Sequence, residues 1–152
     1  MKKLIGSILV LILTLTSFSC PAEVSQSSHM LVVFFSATDT TKAVAEQVSD
    51  ILHADLYEIL PEQPYTEADL AYYTGGRCDR EQDDPSVRPA IAGEPIDIAS
   101  YDTILIGYPI WHGQAPRIIS TFLESYDFSG KTIGSGFLVQ EPMQSTTSGV
   151  RR

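Results

Sequence analysis

The chain has 152 residues, 43% of them hydrophobic, which is enough for one compact core and too short for several domains. Its formal charge is −9, from 19 acidic and 10 basic residues. So acidic a surface repels nucleic acid and anionic lipid, and it suits docking onto basic faces of protein partners.

At the N-terminus, Lys2 and Lys3 precede an apolar stretch from Leu4 to Leu15, which Thr16-Ser-Phe-Ser-Cys20 closes. A basic start, a short apolar run and small residues make an export signal, too short to span a bilayer. Residues 1–20 therefore read as a signal peptide, and Cys20 resembles the acylated cysteine of a bacterial lipobox, although Phe18 is atypical there. Ordinary cleavage nearby, leaving a free Cys20, is the alternative. Residues 21–29 read as a polar tether. The expected location is the cell envelope, anchored through lipid on Cys20, or a soluble periplasmic or secreted state without it. An acylated Cys20 leaves Cys78 alone, so no structural disulfide is expected.

The next element is Leu31-Val-Val-Phe-Phe35, an unbroken apolar run of the kind a strand needs when both its faces are covered. It stops at a hydroxyl-rich turn holding Ser36, Thr38, Asp39, Thr40 and Thr41. Val44, Val48, Ile51 and Leu52 then follow helical spacing. Strand, polar turn and helix N-terminus form an anion site, because the first helical N–H groups lack internal partners and the dipole favours negative charge. The turn lacks the glycines of a dinucleotide fingerprint or a P-loop, so hydroxyls must supply the further donors. That points to a single phosphate monoester. A Ser/Thr turn after a strand is also ordinary α/β punctuation.

A second strand is expected at 55–60, followed by a long crossover. Thr66 and Asp69 mark a capped short helix. Thr74 to Pro85 reads as polar and irregular. Tyr72, Tyr73, Arg77 and Arg80 either lie over a ligand crevice or belong to a solvated connector. The acidic group Asp79, Glu81, Asp83 and Asp84 lacks the spacing and glycine of a calcium loop, and no metal site is assigned.

Thr103 to Tyr108 reads as another buried strand, followed by Pro109-Ile-Trp-His-Gly113. In open parallel sheets ligands bind outside the carboxyl ends of the strands, so this loop and the hydroxyl turn face one crevice. A lone tryptophan at a strand end more often caps the core. The pairing of the two loops favours a ligand-facing Trp111, beside a molecule with a phosphate at one end and a flat ring at the other. Pro116 suits the first turn of the next helix, whose buried stripe is Ile118, Ile119, Phe122, Leu123 and Tyr126, with Gly130 as a left-handed stop. A last strand is expected at 132–139.

Phe35 to Lys42, Ala54 to Ile59, Arg88 to Ile91, Gly107 to Trp111 and Ala115 to Lys131 resemble, in order, a bacterial flavodoxin-like family. The resemblance covers residues 30–133 and implies an α/β fold, a three-layer doubly wound parallel sheet that binds FMN without a covalent bond. Carried over by position, Ser36, Thr38, Asp39, Thr40 and Thr41 match its phosphate loop. Pro109, Ile110, Trp111, His112 and Gly113 match its flavin-flanking loop. Asp39-Thr40 replaces the family's usual Gly-Asn pair; Asp39 can cap the helix, but its carboxylate repels a phosphate unless turned away. His112 replaces a frequent second tryptophan.

The resemblance fades near residue 133, and residues 134–152 read as a divergent tail, a weak strand with a polar end. The domain is therefore expected to lack its C-terminal strand and helix, through a frameshift or premature stop, or as a natural short variant. The third flavin loop is left unassigned.

Other α/β chemistries lack their residues. A receiver domain needs an acidic pair where Phe35-Ser36 stand, and a low-molecular-weight phosphatase needs a cysteine and an arginine around the turn. No serine elbow or zinc-spaced cluster occurs. The resemblance implies an electron carrier between redox partners. An FMN-dependent NAD(P)H reductase of quinones or nitro compounds is the alternative, and a truncated product with little flavin is another. The absence of a nicotinamide-binding motif favours the carrier.

Overall fold

The computed structural model describes residues 29–139. The export signal, Cys20, most of the tether and the polar end of the tail lie outside those residues.

Among the described residues four strands run parallel: β1 (Met30–Phe34), β2 (Asp55–Glu58), β3 (Thr103–Pro109) and β4 (Thr132–Val139). Their spatial order is β2-β1-β3-β4, so the chain reverses direction across the sheet between β1 and β3. The register pairs Phe34 with Glu58 on one side and with Gly107 on the other. All four expected strands are present, and the one at 132–139 has the expected bounds. The second is shorter, ending at Glu58.

Alternation along β1 divides the core into two layers. Leu31, Val33 and Phe35 pack with Ile104, Ile106, Ile118, Ile119 and Phe122. Val32 and Phe34 face the other way, onto Ala45 and Val48 of helix α1 (Thr40–Leu52). Both faces of β1 are thus dry, which is why its sequence shows no polar alternation. Each such side chain contributes roughly 1.5–3 kcal/mol by leaving water. The α1 stripe is shifted from the expected one. Thr41 and Ala45 are buried, while Ile51 and Leu52 are exposed.

The crossover holds two α-helices and, before β3, a 3-10 turn at Ile98–Ser100. In α2 (Glu67–Leu70), the Thr66 hydroxyl accepts from Asp69 N–H and the Asp69 carboxylate accepts from Thr66 N–H, the reciprocal cap expected from the sequence. Helix α3 (Arg77–Asp83) replaces the expected irregular stretch. It starts at Gly76, where a Cβ would come within 2.7 Å of the Ala68 carbonyl oxygen, so only glycine allows α2 and α3 to approach. Its buried side chains are Cys78, Asp79, Glu81 and Gln82.

Helix α4 (Arg117–Glu124) follows Pro116, one position later than expected, and buries Ile118, Ile119 and Phe122. Leu123 is exposed and Tyr126 only partly covered. The helix stops at Ser125, so Gly130, with φ +75°, turns the chain into β4 and does not end α4.

Candidate functional site at the carboxyl edge of the sheet

The hydroxyl turn and the Pro109–Gly113 loop emerge side by side, because β1 and β3 are neighbours and Phe35 N–H donates to the Gly107 carbonyl at 3.0 Å. Thr41, in the first turn of α1, is fully buried, and its Oγ1 has no hydrogen-bond partner; Ser36 Oγ is likewise buried and unpartnered. Thr38 Oγ1 and Thr40 Oγ1 lie 3.2 Å apart. Asp39 takes the N-cap position with φ +61°, and its side chain makes no capping hydrogen bond. The expected Asp39 cap is therefore absent, since a left-handed N-cap departs from the extended backbone that aims a capping side chain at the first turn. Lys42 reaches Glu58 on β2 at 3.3 Å. Beside Ser36 a groove of about 310 Å3 opens between Pro61, Pro64 and Tyr65.

Trp111 does not face the crevice. It is 2% exposed, with its ring edge-on to Phe35 at 5.4 Å and to Tyr65 at 5.0 Å. Both are favourable perpendicular arrangements. Its loop closes on itself through paired bonds between Trp111 and Gln114, each 2.9 Å, while His112 and Gly113 take left-handed conformations.

The loop is braced by polar side chains of α3 that sequence reasoning missed. Gln82 Nε2 donates to the carbonyls of Trp111 and Ala115, both at 3.1 Å, and Gln82 Oε1 accepts the Arg117 N–H at 3.2 Å. Arg117 returns two bonds, to the Glu81 carbonyl at 3.1 Å and the Gln82 carbonyl at 2.7 Å. The Tyr65 hydroxyl donates to Glu81 at 2.6 Å, and Arg77 pairs with the same carboxylate at 2.6 Å while its guanidinium sits 4.2 Å over the Tyr65 ring. Burial and then the Glu81 bond push the Tyr65 hydroxyl far above its ordinary value.

Asp79 joins the crossover to the loop. Its carboxylate accepts the N–H groups of Tyr73 at 3.1 Å and of Thr74 and Gly75 at 2.8 Å. Its Oδ1 also lies 2.8 Å from His112 Nε2, an ion-pair distance without the alignment of a hydrogen bond. Burial raises the Asp79 carboxyl, but the three backbone donors and His112 outweigh it and hold the group below the usual aspartate range. Of the residues left open between crevice and connector, Tyr72 and Tyr73 lie against His112, with ring centroids at 4.8 and 5.3 Å. Arg77 turns to Glu81 and to the Gln63 carbonyl.

Among the described residues, no group of His, Cys, Asp and Glu is placed to hold a metal ion, and no helix is long and apolar enough to cross a membrane.

No curated protein matches the chain. Solved structures do. A protein described as "Putative flavoprotein" from Bacteroides uniformis ATCC 8492 is 46% identical over 70% of this chain and 69% of its own, with TM-score 0.68. A second so described, from Bacteroides eggerthii DSM 20697, is 48% identical over 70% and 67%, also with TM-score 0.68. A flavoprotein in complex with FMN from Lactobacillus acidophilus NCFM is 26% identical over 64% and 66%, with TM-score 0.53. A family model described as Flavodoxin matches residues 29–149, well past residue 133, where the resemblance had been expected to fade. The tail therefore carries family character that its polar composition conceals. With the model spanning most of its length and a four-stranded sheet in the order β2-β1-β3-β4, the chain belongs to the flavodoxin family.

Proposed function

We propose that the chain binds FMN without a covalent bond and carries electrons between redox proteins. The ribityl phosphate would be held by the turn of Ser36, Thr38, Asp39, Thr40 and Thr41, and the ring would lie beside Pro109–Gly113. The observation that carries this reading is the pair of buried, unpartnered hydroxyls, Ser36 Oγ and Thr41 Oγ1, at the N-terminus of α1. A buried hydroxyl without a partner costs about 1–3 kcal/mol, and an anion accepting from both removes that cost. The N-terminus of α1 adds the positive end of its dipole. The FMN complex of the Lactobacillus acidophilus relative supports the same cofactor.

When bound, FMN supplies the electron-transfer chemistry, and the protein holds it, excludes water and adjusts its potential through nearby charge. A net charge of −9 disfavours extra negative charge on a reduced ring and suits docking onto basic partner faces. The export signal read at residues 1–20 supports an exchange outside the cytoplasm, at the cell envelope if Cys20 is acylated and in a soluble periplasmic or secreted state if it is not.

Titration of apoprotein with FMN and with riboflavin, read through the only tryptophan and the flavin absorption, tests the binding. FMN should bind more tightly by the phosphate contribution; equal affinities would remove the phosphate site. A carrier should show negligible NADH or NADPH oxidation with quinone or nitro acceptors, and rapid turnover would replace it with the reductase.

A further inference from the structure

Helix α1 follows β1 and leads into a strand parallel to it, so it ends at the amino edge of the sheet, where both strands begin. Ser49 ties that end to β2: its hydroxyl donates to the Ala54 carbonyl at 2.7 Å, and its carbonyl accepts the Ala54 N–H at 3.0 Å. Large apolar side chains stand in water at this corner. Ile51 is 77% exposed, and Leu52 and Leu56 are each 41% exposed. Scattered singly, such residues are ordinary; gathered where one element ends and the next begins, they make a patch of the kind that marks an interaction surface.

The chain from the export signal arrives at the same edge. β1 starts at Met30, level with Thr103 at the start of β3. The stretch from Cys20 to His29 reaches at most about 30 Å when extended. That reach exceeds the length of β1, about 17 Å, so the tether alone fixes no orientation. The apolar corner supplies the preference, and the hydroxyl turn and the Pro109–Gly113 loop lie at the opposite edge. Asp50 and Asp55 flank the corner and Asp102 lies further along the same edge, all exposed. These carboxylates repel anionic headgroups, so the surface fits a zwitterionic phospholipid. They also disfavour a second copy, which would bring like charges together.

We propose that the amino edge of the sheet is the membrane-facing side of the protein, with Ile51, Leu52 and Leu56 resting in the headgroup layer of a zwitterionic bilayer. The inference rests on the lipid anchor read at Cys20 and is independent of FMN binding. A lipid on a flexible tether attaches a protein without orienting it, and a second apolar contact adds both hold and direction. The edge that carries the hydroxyl turn then faces soluble partners.

The chain from Cys20 onward, coupled through the Cys20 thiol to a maleimide-bearing lipid in phosphatidylcholine vesicles, tests the surface. Cys78 is buried and does not compete for coupling. Hydroxyl-radical labelling, read by peptide mass spectrometry, compares the tethered chain with the same chain free in solution. Labelling of Ile51, Leu52 and Leu56 should fall several-fold on tethering. Tyr73 and Leu60, 80% and 50% exposed beyond the carboxyl ends of the strands, should be labelled as before. Anionic phosphatidylglycerol vesicles should protect the corner less. Ile51→Glu, at an exposed position that leaves the core untouched, should restore much of the labelling at Leu52 and Leu56. Equal labelling of the corner in both states, or an equal fall at Tyr73, would overturn the proposal. So would protection that grows with concentration in free solution, which would assign the corner to a second copy. The mass of the exported protein tests the anchor separately. An unmodified Cys20 would overturn the anchor reading and the membrane role with it, whereas the failures above leave the anchor standing.

Discussion

The side-chain nitrogen of Gln82 sits 3.1 Å from the carbonyl oxygen of Trp111, 29 positions further along the chain. Gln82 is 3% exposed, and its amide meets two carbonyls and one N–H of the segment from Trp111 to Arg117. Gln82→Ala should therefore cost about 2–3 kcal/mol, the price of stranding several buried polar groups at once. Gln82→Glu should be no better, because a carboxylate cannot donate to the two carbonyls. Urea unfolding at neutral pH measures both; a loss below half a kcal/mol would mean that water replaces the amide.

Thr41 gives the opposite sign. Its hydroxyl is buried and unpartnered without ligand, so Thr41→Val should leave the apoprotein as stable or stabilise it by up to about 1 kcal/mol. The same change should weaken FMN by about 1.5–3 kcal/mol and leave riboflavin little affected. Paired melting curves and titrations check this, and a parallel loss for both flavins would place the phosphate elsewhere.

Asp79 sets an acid limit. Its folded-state carboxyl lies below the ordinary value of about 3.9, so the stability it contributes is complete above that value and disappears as pH falls through the folded one. Asp69, Asp84, Asp127 and Glu124 are shifted the same way by their local hydrogen bonds and add to the slope. Asp79→Asn should flatten, but not abolish, the fall in urea midpoint below pH 4. An unchanged slope would show that Asp79 keeps its usual acidity.

Cys78 should be chemically silent. It is 1% exposed, and burial, followed by the charges of Asp79 and Glu81, pushes its thiol up to about 12. The thiolate is the reactive form. Alkylation at neutral pH, mapped by peptide mass spectrometry, should therefore modify Cys78 only at the rate at which the domain opens. Fast labelling of the native protein would show a path to the thiol.

The parts of this fold legible in the sequence are those decided locally. The runs at Leu31–Phe35 and Thr103–Tyr108 are apolar because both faces are covered, and the Thr66–Asp69 cap is closed within four residues. Helix α3 was not legible because its inward positions are Asp79, Glu81 and Gln82, which break the apolar period. Gln82 meets partners about thirty positions away at Trp111, Ala115 and Arg117, Asp79 reaches His112 besides the turn before it, and Glu81 meets Tyr65 and Arg77. The glycine pair Gly75-Gly76 was the one local hint, marking a turn into a helix. The burial of Trp111 was not legible for a similar reason. Its position after a strand suits a ligand loop, but Tyr65, from the long crossover, covers its ring. In the hydroxyl turn, the left-handed backbone at Asp39 was not legible from the residue types.

The polar brace between α3 and the segment from Trp111 to Arg117 has an evolutionary consequence. Every bond in it joins a side chain on one piece to a main-chain group on the other, so the brace depends on Gln82 and Arg117 themselves and no substitution opposite can compensate for losing either. The two positions, and not the sequences around them, should therefore be the ones held fixed. A chimaera between relatives whose junction falls between residues 84 and 110 would keep the brace wherever one parent supplies the glutamine at 82 and the other the arginine at 117.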